Sequence, residues 1–160
     1  MDDTAHTSDS PDTSGALAGF RKVDQLLAHY GESHQNPRNE LIHFIAIPLI
    51  MLSLVGMLFA LHPYVAYVFV AASMVYYARL SAVFFVTMAV WSVLFIALVF
   101  AMGSQVLPIC IAIFVGAWIL QFIGHKIEGK KPSFFEDIQY LWVGPLFVLS
   151  KLFGRLGIRW

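Results

Sequence analysis

Tyr30-Gly31-Glu32-Ser33-His34-Gln35-Asn36-Pro37-Arg38-Asn39-Glu40-Leu41-Ile42-His43 runs without a spacer into Phe44-Ile45-Ala46-Ile47-Pro48-Leu49-Ile50. Histidines, asparagines and a glutamate therefore stand at the mouth of a strongly apolar helix. A second polar knot, Gln121-Phe122-Ile123-Gly124-His125-Lys126-Ile127-Glu128-Gly129, closes the last long apolar run. On one unbroken helix, at about 100° per residue, His34 and His43 would lie roughly 900° apart and so on opposite faces. Asn36-Pro37 removes that obstacle. The residue before a proline is pushed out of the α region, and proline suits the first helical position with Asn36 as its N-cap. His34 is then expected on the approach segment, free to fold back over Asn39 and His43, which are one turn apart on the next helix.

The composition decides the class. Of 160 residues, 59% are hydrophobic and 12% charged, with a mean hydropathy of +0.73. A soluble domain usually carries about 25% charge, so the chain is expected to be an all-α integral membrane protein. The formal net charge of +0 names no partner by itself; membrane lipids are expected around it, and nucleic acid is not an expected partner. The single cysteine, Cys110, lies inside an apolar run, so no intrachain disulfide can form.

Residues 1–15, rich in Ser, Thr, Asp and Pro, are expected to be a disordered tail, and residues 16–160 a single membrane domain. The tail lacks the basic and apolar regions of a signal peptide. Over residues 17–30 the apolar positions Leu17, Phe20, Val23, Leu26, Leu27 and Tyr30 share one side, which predicts an N-terminal interfacial helix stopped by Gly31. Four apolar runs follow, at about 41–61, 64–80, 82–102 and 106–123, each long enough to cross a bilayer. Short turns between them predict four transmembrane helices as two antiparallel hairpins.

Arg21, Lys22 and Arg38 precede the first run, Arg79 lies between the second and third, and Lys126, Lys130 and Lys131 follow the fourth. The loops at His62-Pro63 and Gly103-Ser104-Gln105 hold no cation. The positive-inside rule then puts both termini and the histidine site in the cytoplasm, with the bacterial inner membrane as the expected location, or the endoplasmic reticulum in a eukaryote. Ser133-Phe134-Phe135-Glu136 has capping-box spacing and opens a helix through Trp142, which Gly144-Pro145 breaks. Short re-entrant or interfacial helices are therefore expected at the C-terminus, as a partial roof over the site.

An ionisable side chain one turn inside a membrane helix is a functional candidate. The plainer alternative for His43 is an interfacial histidine bonded to Asn39 or to lipid headgroups. His125 is in register with Gln121 and Glu128, so all three would share a face. Three histidines at one end of a bundle point to a metal, with His34, His43 and His125 as ligands and His29 and Glu40 as further candidates. Imidazole and carboxylate suit Fe(II), Zn or Mn, and thiolate ligands are absent. Glu40-x-x-His43 also has the spacing of di-iron carboxylate bundles, with Glu128 as counterpart. Asn39 and Glu128 are the candidate catalytic groups beside the histidines. Arg38 and Lys126, otherwise interfacial anchors, are the candidates for holding a substrate carboxylate. His6 in the tail and His62 at the opposite end are expected to be inert.

The pattern Tyr30-x-x-x-His34, Asn39-x-x-x-His43, Ile47-Pro48, Gly124-His125-x-x-Glu128-Gly129-x-x-Pro132 and Gly144-Pro145-Leu146-Phe147 resembles the membrane family that includes the fungal 2-hydroxy fatty acid dioxygenase of phytosphingosine breakdown. The resemblance implies a non-haem Fe(II) enzyme of fatty acid α-oxidation. It would use O2 to convert a long-chain 2-hydroxy fatty acid to the aldehyde one carbon shorter. The rival expectation is a non-catalytic membrane lipid-binding or scaffold protein, which would need no metal.

Overall fold

The computed structural model describes residues 21–32, 34–129 and 141–160. Among these the elements are all helical: α1 Lys22–Gly31, α2 Pro37–Leu61, α3 Pro63–Leu80, α4 Ala82–Met102, a 3-10 turn Gly103–Gln105, α5 Val106–Glu128 and α6 Val143–Leu156. The expected tail with His6, the residues Leu17 and Phe20, the cations Lys130 and Lys131, and the capping box at Ser133 lie outside the described residues.

The proline breaks fall where local chemistry puts them. Asn36 is extended, and its side chain accepts a hydrogen bond from the Arg38 N–H at 3.0 Å, with Pro37 opening α2. His62-Pro63 repeats the device: the His62 Nδ1 accepts from the Tyr64 N–H at 3.3 Å, and Pro63 opens α3. Gly129, at φ +77°, closes α5 in the left-handed conformation that glycine adopts without strain. The expected stop at Gly31 falls in place by another mechanism, and Gly144-Pro145 opens a helix, the one expected before it lying outside the described residues. Gly31 is the last residue of α1 and has no left-handed φ, because the Glu32 N–H still bonds to the Ala28 carbonyl and the turn continues past it. Gly144-Pro145 lies in the first turn of α6, where a proline lacks no partner it would otherwise have, and the helix runs on through Arg155.

Two helical stretches, Pro37–Leu61 and the 47 residues Ala82–Glu128 that hold α4, the 3-10 turn and α5, are long and apolar enough to cross a membrane. Side chains such as Val68, Val86, Val93, Ile111 and Val115 stand exposed on the outer faces of α3, α4 and α5. An apolar surface of that kind suits lipid contact.

Helices α2 and α5 are antiparallel and close. A methyl group on Gly56 would overlap Cys110 Sγ, and one on Gly124 would overlap Asn39 Oδ1, so the two glycines let the backbones approach at both ends of the pair. Phe59 of α2 meets Tyr67 of α3 and Phe100 of α4 at one end, which fixes the up-and-down order of these three helices.

At the opposite end α6 closes the bundle. Its residues Val143–Ser150 are buried. Just before it, the Trp142 indole N–H donates to Ser73 Oγ at 2.9 Å, and the Tyr77 hydroxyl donates to the Trp142 carbonyl at 3.2 Å. Val23, Leu27 and Tyr30 of α1 are buried, and α1 packs along α6. The C-terminal Trp160 is tied back to α1, donating from its indole to Asp24 at 3.3 Å and accepting from Arg21 at its carbonyl.

Candidate metal centre

Three elements deliver one histidine each to the closed end of the α2–α5 pair. His34 lies between α1 and α2, His43 is on the second turn of α2, and His125 is on the last turns of α5. All three are buried, at 4%, 0% and 6% exposure, so water does not solvate them. One nitrogen from each can be chosen so that the three atoms lie within 4.8 Å of one another. The ring centroids are 4.3 Å apart for His34–His43, 5.3 Å for His43–His125 and 5.6 Å for His34–His125.

Backbone carbonyls fix the tautomers of two rings. His34 Nδ1 is 2.8 Å from the Tyr30 carbonyl, and His43 Nδ1 is 2.9 Å from the Asn39 carbonyl. A carbonyl only accepts, so both Nδ1 atoms carry hydrogen, and in a neutral imidazole the Nε2 then carries a lone pair. The two Nε2 atoms are 2.9 Å apart. At that distance the two nitrogens are joined either by one shared proton, as an N–H···N hydrogen bond, or by a metal ion beside both. Two imidazoles at about 90° on one metal, with metal–nitrogen bonds of about 2.1 Å, place their nitrogens about 3 Å apart. An Nδ1–H held by a backbone carbonyl is also the usual outer partner of a metal-bound histidine. The residues present therefore fit a divalent metal. Tyr30 stacks on the His34 ring at 4.2 Å with an interplanar angle of 9°, and Phe147 of α6 lies 5.6 Å from it, so α1 and α6 roof the site.

Across residues 20–156 the chain matches the family described as 2-hydroxy-palmitic acid dioxygenase Mpo1-like. It belongs to that family. It is 28% identical over 146 residues to the 2-hydroxy-palmitic acid dioxygenase MPO1 of Saccharomyces cerevisiae, a match covering 87% of this chain and 84% of the yeast protein. No solved structure matches. The resemblance drawn from the motifs is borne out.

The remaining predicted site residues of this Mpo1-like chain divide into three pairs. Asn39 and Glu128 adjoin the histidines: Asn39 is fully buried and donates from Nδ2 to Glu128 Oε2 at 3.0 Å. That bond orients the amide, so Oδ1 is the acceptor left, and it is buried without a hydrogen-bond partner among the described residues. Glu128 stands past Ile123, where the last apolar run ends. Its partial burial pushes the carboxyl pKa up, but hydrogen bonds from the Gln35 and Asn36 N–H groups and from Asn39 bring it below the ordinary carboxylate range.

Glu40 and His29 are not brought into the cluster. Glu40 turns to α6, 3.2 Å from Lys151 Nζ and 3.8 Å from an Arg155 nitrogen. His29 is exposed, 3.7 Å from Glu32. Among the described residues the metal-ligating group is the three histidines alone; Glu40 turns away from it, and the Glu128 carboxylate beside it is held by Gln35, Asn36 and Asn39. Arg38 and Lys126 are exposed, one residue from Asn39 and His125 respectively.

One polar residue was not assigned a role from sequence. Gln121, one turn from His125, is 3% exposed, and its Oε1 is buried without a hydrogen-bond partner among the described residues. The i, i+4 spacing to His125 was the available signal.

Proposed function

We propose that the protein is an Fe(II)-dependent dioxygenase of fatty acid α-oxidation, acting on a long-chain 2-hydroxy fatty acid with O2. The observation that carries this reading is the buried pair of Nε2 atoms at 2.9 Å, backed by His125, in an Mpo1-like chain. A scaffold or lipid-binding protein would need no cluster of three buried imidazoles, whose desolvation is costly.

His34, His43 and His125 would hold the iron, which supplies the redox chemistry and open positions for O2 and substrate. The three imidazoles bring no negative charge to the site, so an anionic substrate such as a 2-hydroxy carboxylate would suit it. Arg38 and Lys126 at the rim would receive the carboxylate. Burial of the histidines excludes water, and the acyl chain would extend along the apolar helices.

Electron balance bears on the product. Loss of the carboxyl carbon as CO2 with formation of the aldehyde gives up two electrons and leaves O2 as hydrogen peroxide. Oxidation onward to the carboxylic acid one carbon shorter gives up four. The C1–C2 bond breaks, one oxygen atom enters the new carboxyl and the other the released one-carbon fragment, which leaves as carbonic acid (CO2 and water), with no added reductant. We therefore take the shortened acid as the end product and the aldehyde as the two-electron alternative.

Helices α2, α3, α4 and α5 would be the four spans, with both termini and the site in the cytoplasm, in a bacterial inner membrane or an endoplasmic reticulum. The cation-free turns at His62-Pro63 and Gly103-Ser104-Gln105 support this orientation.

The test is iron-loaded purified protein with 2-hydroxypalmitate under 18O2. One 18O in a C15 acid is expected. Unlabelled C15 aldehyde with labelled peroxide selects the two-electron alternative, and turnover under nitrogen or none under O2 sinks the reading.

A further inference from the structure

Glu128 is on the His125 face of α5, but its carboxylate is occupied by other groups. Oε1 accepts from the Gln35 N–H at 2.8 Å. The Asn36 N–H is shared, 3.2 Å from Oε1 and 3.0 Å from Oε2, and Asn39 Nδ2 donates to Oε2 at 3.0 Å. A carboxylate has about four lone-pair sites, so these contacts leave little accepting capacity for a substrate proton. The donors belong to the residues directly after His34 and on either side of Pro37, where the chain turns from the approach segment into α2. Residues entering a helix have N–H groups without an intrahelical partner. Here the last turn of α5 supplies the partner, by charge-assisted bonds of the stronger kind.

His43 and His125 are carried by long helices whose relative position the α2–α5 contact fixes. His34 is carried by a short connection. Its own N–H bonds to the Gly31 carbonyl at 3.0 Å and its ring to Tyr30, both on the α1 side, so these bonds do not set its distance from α5. The Glu128 carboxylate links the His34 segment directly to the helix that holds His125.

We propose that Glu128 is a positioning residue: its carboxylate clasps the backbone of Gln35 and Asn36 and so holds His34 in place as the third metal ligand. This rests on the three histidines being metal ligands, and it replaces the catalytic role expected for Glu128 from sequence. Without the clasp the site keeps two helix-borne histidines, and the third is held only by its bonds to Tyr30 and Gly31 and its contact with His43.

The test uses the full chain in detergent with Glu128→Ala, Glu128→Gln, His34→Ala and the His34→Ala/Glu128→Ala double variant. In metal-free protein, hydrogen exchange over residues 34–36 should quicken about tenfold or more in Glu128→Ala, the size set by loss of a hydrogen bond to a charged group. Co(II) should bind about 10- to 100-fold more weakly, the usual range for an outer partner of a metal ligand. Its ligand-field spectrum should shift toward that of His34→Ala. Glu128→Gln, which keeps one accepting oxygen, should recover part of the affinity, and it carries the test if the alanine variant does not insert. The double variant should bind Co(II) no more weakly than His34→Ala alone, because both changes act on one ligand. Unchanged exchange overturns the clasp. Wild-type Co(II) affinity and spectrum in Glu128→Ala, or additive losses in the double variant, overturn its action through His34. Wild-type protein that takes up no Co(II) overturns the metal reading itself, and the exchange result still decides the clasp.

Discussion

Gly124→Ala separates the metal site from the stability of the fold. A Cβ at Gly124 would overlap Asn39 Oδ1 and reach Ile42 Cγ2 at 3.4 Å. Asn39 is fully buried and its Nδ2 is held by Glu128, so the amide cannot rotate away without losing that bond. The backbones of α2 and α5 must instead part by about 1 Å, since close-packed interiors have no slack to absorb a methyl group. Overpacking of this kind costs about 1–3 kcal/mol, and replacing a helical glycine by alanine returns about 1 kcal/mol. The net loss of stability is therefore about 0–2 kcal/mol. Metal binding suffers more, because His125 is the next residue and moves with the backbone, while ligand distances are tolerated only within about 0.2 Å. We expect metal affinity to fall about 100-fold, or about 2.7 kcal/mol, by chelator competition, with helical circular dichroism unchanged. Gly116→Ala is the control: nothing lies within 4 Å of a Cβ there, so metal affinity should hold. Wild-type affinity in Gly124→Ala would refute the close approach of α2 and α5 as the device that aligns His43 with His125.

Three further outcomes follow from particular residues. Reporter fusions after Gly103 and after Trp160 should report opposite sides of the membrane, and a shared side would end the four-span topology. Neutralising Arg38 or Lys126, both exposed at the rim, should raise KM for the 2-hydroxy acid about tenfold while metal content stays constant; unchanged KM would remove them from carboxylate binding. Glu40→Gln should keep full metal content, since Glu40 faces Lys151 and Arg155, and should cost about 1 kcal/mol of stability or less; loss of metal would restore Glu40 as a ligand.

Features set by neighbouring residues were legible in the sequence. Asn36-Pro37 and His62-Pro63 mark helix starts because capping and the proline constraint act within a few residues. The same break gives His34 its freedom to meet His43, and the order of the apolar runs returns His125 to the same end. Features set by distant partners were not. Glu40-x-x-His43 has a metal-ligand spacing, but a helix spacing does not say which charge competes for the carboxylate, and Lys151 lies 111 residues away. Glu128 was visible as a carboxylate near His125, whereas its backbone partners Gln35 and Asn36 depend on how α5 meets the start of α2. Gly56 and Gly124 look alike in sequence to any glycine within an apolar run; only the packed pair shows that Cys110 and Asn39 need the space.

The central claim is that His34, His43 and His125 jointly hold one metal ion. Elemental analysis of purified wild-type protein and of the three single His→Ala variants, each after iron loading and desalting, tests it most directly. The account predicts about one iron per chain in the wild type and a sharp loss in every variant, with His62→Ala retaining full iron. Full iron in His43→Ala, or iron-free wild-type protein that still turns over a 2-hydroxy acid, would contradict it.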